Sequence, residues 1–213
     1  MSKLGASPTP KITAVLLASG SGTRFGGDKL LHLINDFSMH PSEQKQAIGL
    51  TSALKVQAFV DEVICVVRPD DLILTKLFKA HGLKTTKNPD FKTGLSASIQ
   101  HGVKAAKADN AIMICLGDMP FIKPGSYQSL IEKFNAHPDR ITRLMYQNDD
   151  TKPKQAGHPV IFPASTKQAL QQLKGDSGAK ALLKEMDILY AITTDDGVVF
   201  DIDTQQDLLK IRQ

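Results

Sequence analysis

Apolar runs of strand length at residues 12–18, 62–67 and 111–116 alternate with segments of helical period at 47–59, 71–81, 95–106 and 125–135. Runs that are apolar at consecutive positions are buried on both faces. With helices between them to supply the cover, the pattern predicts a mainly parallel sheet in an α/β sandwich. The second half reads differently. Residues 143–147 and 159–162 are short strand candidates around a polar segment, 148–155, which predicts an excursion from the sheet and some antiparallel pairing in the C-terminal half. Helical patterns follow at 165–173 and 177–186, then a strand at 198–202. A last helix is expected from Thr204, whose hydroxyl can cap it, with Asp207 in the capping-box position. Residues 1–10, with Gly, Ser and two prolines but no apolar period, read as a disordered leader, and residues 35–46 as a mobile loop.

The length of 213 residues suits one full-sized core, so residues 11–213 are expected to form a single domain. A net charge of +4 suits an anionic ligand, but the lysines are spread along the chain and no basic block stands out. With no Trp and 6% aromatic residues, a base-stacking platform is also missing, which argues against nucleic acid as a partner. No apolar stretch approaches bilayer length and no signal-peptide core opens the chain, so a cytoplasmic protein with no membrane partner is expected. Cys65 and Cys115 each lie inside an apolar run, as small buried hydrophobes do, and predict neither a disulfide nor a thiolate metal site. No exposed apolar stripe is evident in the pattern, and a monomer is expected.

The first apolar run ends in Ser19-Gly-Ser-Gly-Thr-Arg-Phe-Gly-Gly-Asp-Lys29, a loop with four glycines, Arg24 and Lys29. Glycines let backbone N–H groups converge on an anion, and the two cations add charge. The loop stands at the carboxyl end of a strand, where open α/β sheets place ligands. It fits neither familiar phosphate motif. A dinucleotide fingerprint from Gly20 needs glycine where Phe25 stands, and a P-loop from Gly22 needs Lys where Asp28 stands. An ordinary glycine-rich turn is the bland alternative.

Two acidic sites accompany the loop. The run 111–116 ends in Gly117-Asp118, which puts a carboxylate on the same sheet edge, where magnesium would find one or two carboxylates and complete its shell with phosphate and water. Pro120 turns the chain away. In Asp201-Ile202-Asp203 a period of two places both aspartates on one face. One of them can join Asp118 on the metal; the other reading, a cap for the helix at Thr204, applies equally to Asp201 and Asp207 and less to Asp203.

These residues resemble the nucleotidyltransferases that complete the molybdenum cofactor, in particular the MocA-like cytidylyltransferases within the MobA-like group. The matching pieces are Leu17-Ala-Ser-Gly-Ser-Gly-Thr-Arg-Phe-Gly-Gly-Asp-Lys-Leu-Leu31, Gly94-Leu-Ser-Ala-Ser98, Leu116-Gly-Asp-Met-Pro120, Gly157-His-Pro-Val-Ile-Phe162, Leu173-Lys-Gly-Asp-Ser-Gly-Ala-Lys180 and Asp201-Ile-Asp-Thr204. They follow the family's order over most of residues 12–209. The first and third pieces mark the superfamily, and Gly-His-Pro-Val with Gly-Asp-x-Gly-Ala-Lys points to the MocA-like branch. The resemblance implies a three-layer, Rossmann-like nucleotidyltransferase fold with the nucleotide on the N-terminal half. It implies contacts to nucleotide from Ala18, Ser19, Gly20, Ser21, Gly22, Thr23, Arg24, Lys29, Gly94, Leu95 and Ser96. Arg24, Lys29 and Asp118 would be catalytic, Asp118 and Asp203 would hold Mg2+, and His158 and Asp176 would face the acceptor. Where the family shows Ala or Gly this chain has Ser19, at a position associated with the choice between CTP and GTP.

The activity so implied is transfer of CMP from CTP to the phosphate of molybdopterin or its molybdenum form, with possible handover to a molybdoenzyme. A dianionic phosphate is already a nucleophile near neutral pH, so the protein's task is alignment and charge neutralisation. His158 beside Gly157 and Pro159 more readily shapes a loop or stacks on a ring than transfers a proton, and Asp176 can equally cap a helix. A GTP-using enzyme, a sugar- or alcohol-phosphate nucleotidyltransferase, and a non-catalytic nucleotide- or cofactor-binding chaperone are the rival readings.

Overall fold

The computed structural model describes residues 9–35, 45–149, 151, 153–175 and 179–210. The leader through residue 8, most of the 35–46 segment, and Asp176 with Ser177 lie outside the described residues. In chain order the elements are β1 (Ile12–Leu17), β2 (Leu33–Asn35), β3 (Lys45–Ala47), α1 (Ile48–Gln57), β4 (Glu62–Val67), α2 (Leu72–Ala80), β5 (Lys84–Lys87), α3 (Leu95–Ala105), β6 (Ala111–Leu116), α4 (Pro124–Ala136), β7 (Ile141–Tyr146), β8 (Gln155–Phe162), α5 (Lys167–Gln171), α6 (Lys180–Glu185), β9 (Ile188–Thr193) and α7 (Asp207–Lys210).

Seven strands form one sheet in the order β5-β4-β1-β6-β8-β7-β9, and β2 pairs with β3 in a small antiparallel pair of their own. In the large sheet β8 alone runs against its neighbours: it is antiparallel to β6 and β7, whereas β1, β4, β5 and β6 are mutually parallel, as are β7 and β9. This is the predicted Rossmann-like α/β sandwich with antiparallel pairing in the C-terminal half.

Alternate residues of each strand feed two apolar layers. Ala14 and Leu16 of β1, Cys65 of β4 and Met113 of β6 pack on the side of α1, α2 and α4. Val15 and Leu17 of β1, Val66 of β4 and Ile112 and Ile114 of β6 pack on the side of α3 and α5. The central strands are covered on both faces, which is why their sequences are continuously apolar. On the α3 side helix and sheet meet tightly at Gly102, where a Cβ would stand 2.2 Å from Val15 Cγ1. Both cysteines are buried and unbonded, and burial pushes each thiol far up, so neither is a reactive thiolate at neutral pH.

Three expectations need correction. The apolar run at 198–202 is not a strand: residues 196–198 form a 3-10 turn and the chain then runs irregularly. The seventh strand is Ile188–Thr193, whose pattern was hidden within what looked like a helix-to-strand linker. The last helix begins at Asp207 rather than Thr204. As the edge strand, β9 leaves Tyr190 37% and Ile192 57% exposed, an apolar strip that the sequence pattern did not disclose. Among the described residues no helix is long and apolar enough to cross a membrane.

Candidate active site

The carboxyl ends of β1, β4 and β6 open onto a cavity of about 600 Å³. The loop after β1 reverses the chain through Gly22, Gly26 and Gly27, at φ of +61°, +95° and +101°, where a side chain would be strained. Asp28 is also left-handed, at φ 42°, the only non-glycine residue so placed among the described residues. That turn starts the short 3-10 helix Lys29–Leu31 and delivers Lys29 into the cavity.

Next to it, the end of β6 comes close to β1. Gly117 donates its N–H to the Leu17 carbonyl at 3.0 Å, and a Cβ at Gly117 would stand 3.1 Å from that oxygen. Two α1 side chains support this turn from below: Ser52 Oγ donates to the Gly117 carbonyl at 2.9 Å and the buried Lys55 Nζ to the Pro120 carbonyl at 2.6 Å. Asp118 therefore has a fixed backbone.

The other two acids come from the far end of the chain. Ile202 donates its N–H to the Asp118 carbonyl at 3.0 Å, and its fully buried side chain packs with Phe25, Ile34 and Ile48. With Ile202 held inward, Asp201 and Asp203 face outward, so the expected alternation survives although no strand forms here. Carboxylate oxygens of Asp118, Asp201 and Asp203 lie within 4.8 Å of one another. Asp207 takes the capping work instead, accepting from the Asp203 and Thr204 N–H groups at 3.1 and 2.8 Å and from the Thr204 hydroxyl at 2.9 Å. Lys210 and these donors hold its carboxyl well below the usual range.

Lys29 Nζ donates to Asp118 Oδ2 at 2.7 Å and approaches Asp203 Oδ1 at 3.5 Å, while Arg24 pairs with Asp203. Desolvation and the neighbouring Asp118 charge push the Asp201 carboxyl up, the response of an acid crowded by like charge. Three hard oxygen donors this close suit a divalent cation of the magnesium or manganese kind.

On the opposite wall Ser19 Oγ and Ser98 Oγ are 2.7 Å apart, and Asn88 Nδ2 donates to Ser98 Oγ at 3.0 Å. Asn88 Oδ1 in turn accepts from the Asp90 N–H at 2.9 Å, which fixes the amide. Gly94, at φ +110°, leads into α3, and Ser96 is buried behind it with its hydroxyl unpartnered among the described residues.

The structure thus brings Ala18, Ser19, Gly20, Ser21, Gly22, Arg24, Lys29, Gly94, Leu95, Asp118 and Asp203 onto one cavity. Thr23, which is exposed, and the buried Ser96 lie outside its lining. His158 sits one strand beyond Leu116, and burial, then the Arg143 charge and more weakly Lys180, push it down to about 4 against the Ile114 backbone. It is neutral at pH 7. The sequence reading passed over Arg68, Phe91 and Lys180, which also line the cavity, and left Asp201 undecided. Arg68 follows directly on β4 and was discoverable by the same strand-end rule that found Asp118.

With this geometry in hand, the sequence profile of the MobA-like NTP transferase domain matches residues 14–189. The chain belongs to that family. It is a nucleotidyltransferase by this membership, and its MobA-like core spans β1 to the start of β9. Among curated relatives, nicotine blue oxidoreductase of Paenarthrobacter nicotinovorans is 24% identical over 213 residues, covering 98% of this chain and 100% of that protein. A probable molybdenum cofactor guanylyltransferase of Thermococcus sibiricus is 25% identical over 160 residues, 74% of each chain. Among solved structures, Rv0371c of Mycobacterium tuberculosis superposes with a TM-score of 0.76 at 21% identity, covering 96% of this chain and 98% of that one. Its complex with manganese superposes with a TM-score of 0.72 at 20% identity, over 94% and 97% of the two chains. The MobA-like fold is shared throughout.

Proposed function

We propose that this MobA-like nucleotidyltransferase transfers CMP from CTP to the phosphate monoester of molybdopterin or its molybdenum form, releasing pyrophosphate. The observation that carries the transfer reading is the convergence of Lys29 with Asp118, Asp201 and Asp203 beside the glycine-rich loop. An acceptor phosphate oxygen attacks the α-phosphorus of the nucleotide, the bond from that phosphorus to the β-phosphate oxygen breaks, and pyrophosphate leaves. A dianionic phosphate requires no general base. Arg24 and Lys29 neutralise charge on the triphosphate, and the loop glycines let the backbone approach it. Asp118 and Asp203, joined by Asp201, would hold Mg2+. When bound there, the ion supplies further charge neutralisation and fixes the phosphate oxygens. Ser19, Gly94 and Leu95 form the nucleoside end, and His158 belongs to the acceptor end.

The preference for CTP rests on the likeness of the Gly157-His-Pro-Val160 and 173–180 motifs to the MocA-like branch. The guanylyltransferase relative favours GTP as the second reading. A redox reading, prompted by the name of the full-length relative, has less support, because hydride transfer gives no work to Lys29 and three clustered acids.

Pyrophosphate release from each of the four NTPs, with magnesium and with or without molybdopterin, tests the proposal in wild type and Asp118→Ala. Release from CTP alone, dependent on the pterin and lost in the variant, is the expected result. GTP preference moves the protein to the guanylyl branch, and no release from any NTP overturns the proposal.

A further inference from the structure

Three elements bring one polar side chain each to the wall opposite the acids. Ser19 follows β1, Asn88 follows β5, and Ser98 lies in the first turn of α3. They are only 3%, 0% and 5% exposed. Burying hydroxyls and an amide carries a cost that alanine at the same places would not, so the trio's role lies in its hydrogen bonds.

The protons of this network can be counted. Asn88 Oδ1 accepts from the Asp90 N–H at 2.9 Å, which fixes the donor end of the amide on the other side, and Nδ2 donates to Ser98 Oγ at 3.0 Å. The Ser98 and Ser19 hydroxyls then share one contact of 2.7 Å, and neither has a further side-chain partner among the described residues. The Asn88 amide and the two hydroxyls supply three protons to two contacts. Whichever serine donates to the other, one hydroxyl proton is left over, and both serines line the cavity. The wall is a net donor. Polarisation from Asn88 through Ser98 to Ser19 favours Ser19 as the residue that presents it.

The other end of the cavity decides what this donor meets. With the triphosphate on Arg24 and Lys29 and its ion among Asp118, Asp201 and Asp203, the base extends towards Ser19 and Ser98. Bases differ in what they offer a lone donor. Cytosine presents adjacent acceptors, O2 and N3. Uracil has an N–H at N3, and guanine has N–H groups at N1 and N2. A donor fixed by its own buried partners is left unpaired by the wrong edge, which is how a polar site discriminates strongly.

We propose that Asn88 and Ser98 are positioning residues that hold the Ser19 hydroxyl as a donor to the O2–N3 edge of cytosine, selecting CTP against UTP and GTP. This inference rests on the nucleotidyl-transfer reading and derives the base preference from the protons of this chain. Asn88→Asp gives it a sharp consequence. A carboxylate keeps the size and the bond from the Asp90 N–H, but brings no proton. Both hydroxyl protons are then consumed inside the trio, and the cavity is left with lone pairs alone.

The test is titration calorimetry of the full chain with magnesium-CTP, magnesium-UTP and magnesium-GTP in wild type, Asn88→Asp, Ser98→Ala and Ser19→Ala. Melting temperatures are measured on each, and pyrophosphate release with molybdopterin on wild type. Expected are at least tenfold tighter binding of CTP than of UTP or GTP in wild type and a CTP-to-UTP affinity ratio at least tenfold lower in N88D, with a smaller fall in S98A and S19A. A purely structural role would weaken CTP and UTP together and leave their ratio in place. An unchanged ratio in N88D overturns the proposal, as does an unchanged ratio in both S98A and S19A should N88D fail to fold. A wild type that binds UTP or GTP as tightly as CTP overturns it too, and the transfer reading survives these results wherever pyrophosphate is released. The expected ratio and its shift without pyrophosphate release would sink the transfer reading and leave the base wall intact. Binding of none of the three nucleotides would overturn both.

Discussion

Lys29 Nζ stands 2.7 Å from Asp118 Oδ2, an ion pair between residues that two different strand ends deliver to one cavity. Both side chains are partly shielded, at 12% and 23% exposure, so the pair has direction as well as charge.

Replacing Lys29 by Met, or Asp118 by Asn, is expected to lower kcat about a hundredfold or more, the usual cost of removing one group that stabilises transition-state charge. Thermal stability should move by only about 1 kcal/mol, because solvent still reaches the partner left behind. Pyrophosphate-release kinetics and a melting curve on the same samples separate the two effects.

The acidic cluster predicts a metal requirement with a graded response. EDTA should abolish turnover and magnesium or manganese should restore it. Asp201→Asn, at the exposed member of the three, should raise the metal concentration needed for half-maximal rate, while Asp118→Asn should not be rescued at any concentration. Equal behaviour of the two variants would contradict this assignment.

Lys55 is a buried cation whose ammonium holds the Pro120 carbonyl at 2.6 Å. Lys55→Met removes that donor and leaves the carbonyl of the 117–120 turn without it, which should cost about 1–3 kcal/mol. A fall in melting temperature accompanied by weaker metal binding is expected, since the same turn carries Asp118. A lower melting temperature with unchanged metal affinity would show the turn to be held by its other contacts.

Gly102→Ala tests the tightest helix-to-sheet approach, because the new Cβ would stand 2.2 Å from Val15 Cγ1. Overpacking of this kind costs about 1–3 kcal/mol, and chemical denaturation should record it with an unchanged m-value.

Acid sensitivity follows from His158. Its pKa in the fold is pushed down to about 4 from 6.5, so as pH falls below 6.5 the unfolded chain takes up the proton first. Stability contributed by the neutral ring is whole above pH 6.5 and is lost progressively towards pH 4. His158→Gln should flatten the melting-temperature profile over that window relative to wild type.

The sheet's central strands were legible because each is buried on both faces and needs consecutive apolar residues, and Asp118 because it directly follows such a strand. Lys84–Lys87 was not legible: β5 is an edge strand of polar residues, and its pairing with β4 is decided by the neighbouring strand rather than by its own side chains. The 198–202 run deceived for the opposite reason. Val198 and Ile202 are apolar because they plug the core from an irregular segment, one of them beside Phe25 and Ile48. Nothing in the spacing of residues 143, 160 and 190 announced that they stand abreast, since only the reversed direction of β8 and the register of β7 with β9 bring their strands together.

The hydrogen bond from Ile202 to the Asp118 carbonyl joins segments separated by more than eighty residues of chain. Two of the three clustered acids arrive only with the later segment. A nascent chain that has already formed β1, β4 and β6 would display the glycine-rich loop, yet lack most of the charge that gathers a cation. Competence for chemistry is thereby tied to the synthesis and docking of the 201–203 segment, and a chain that has not reached it lacks two of the three clustered carboxylates.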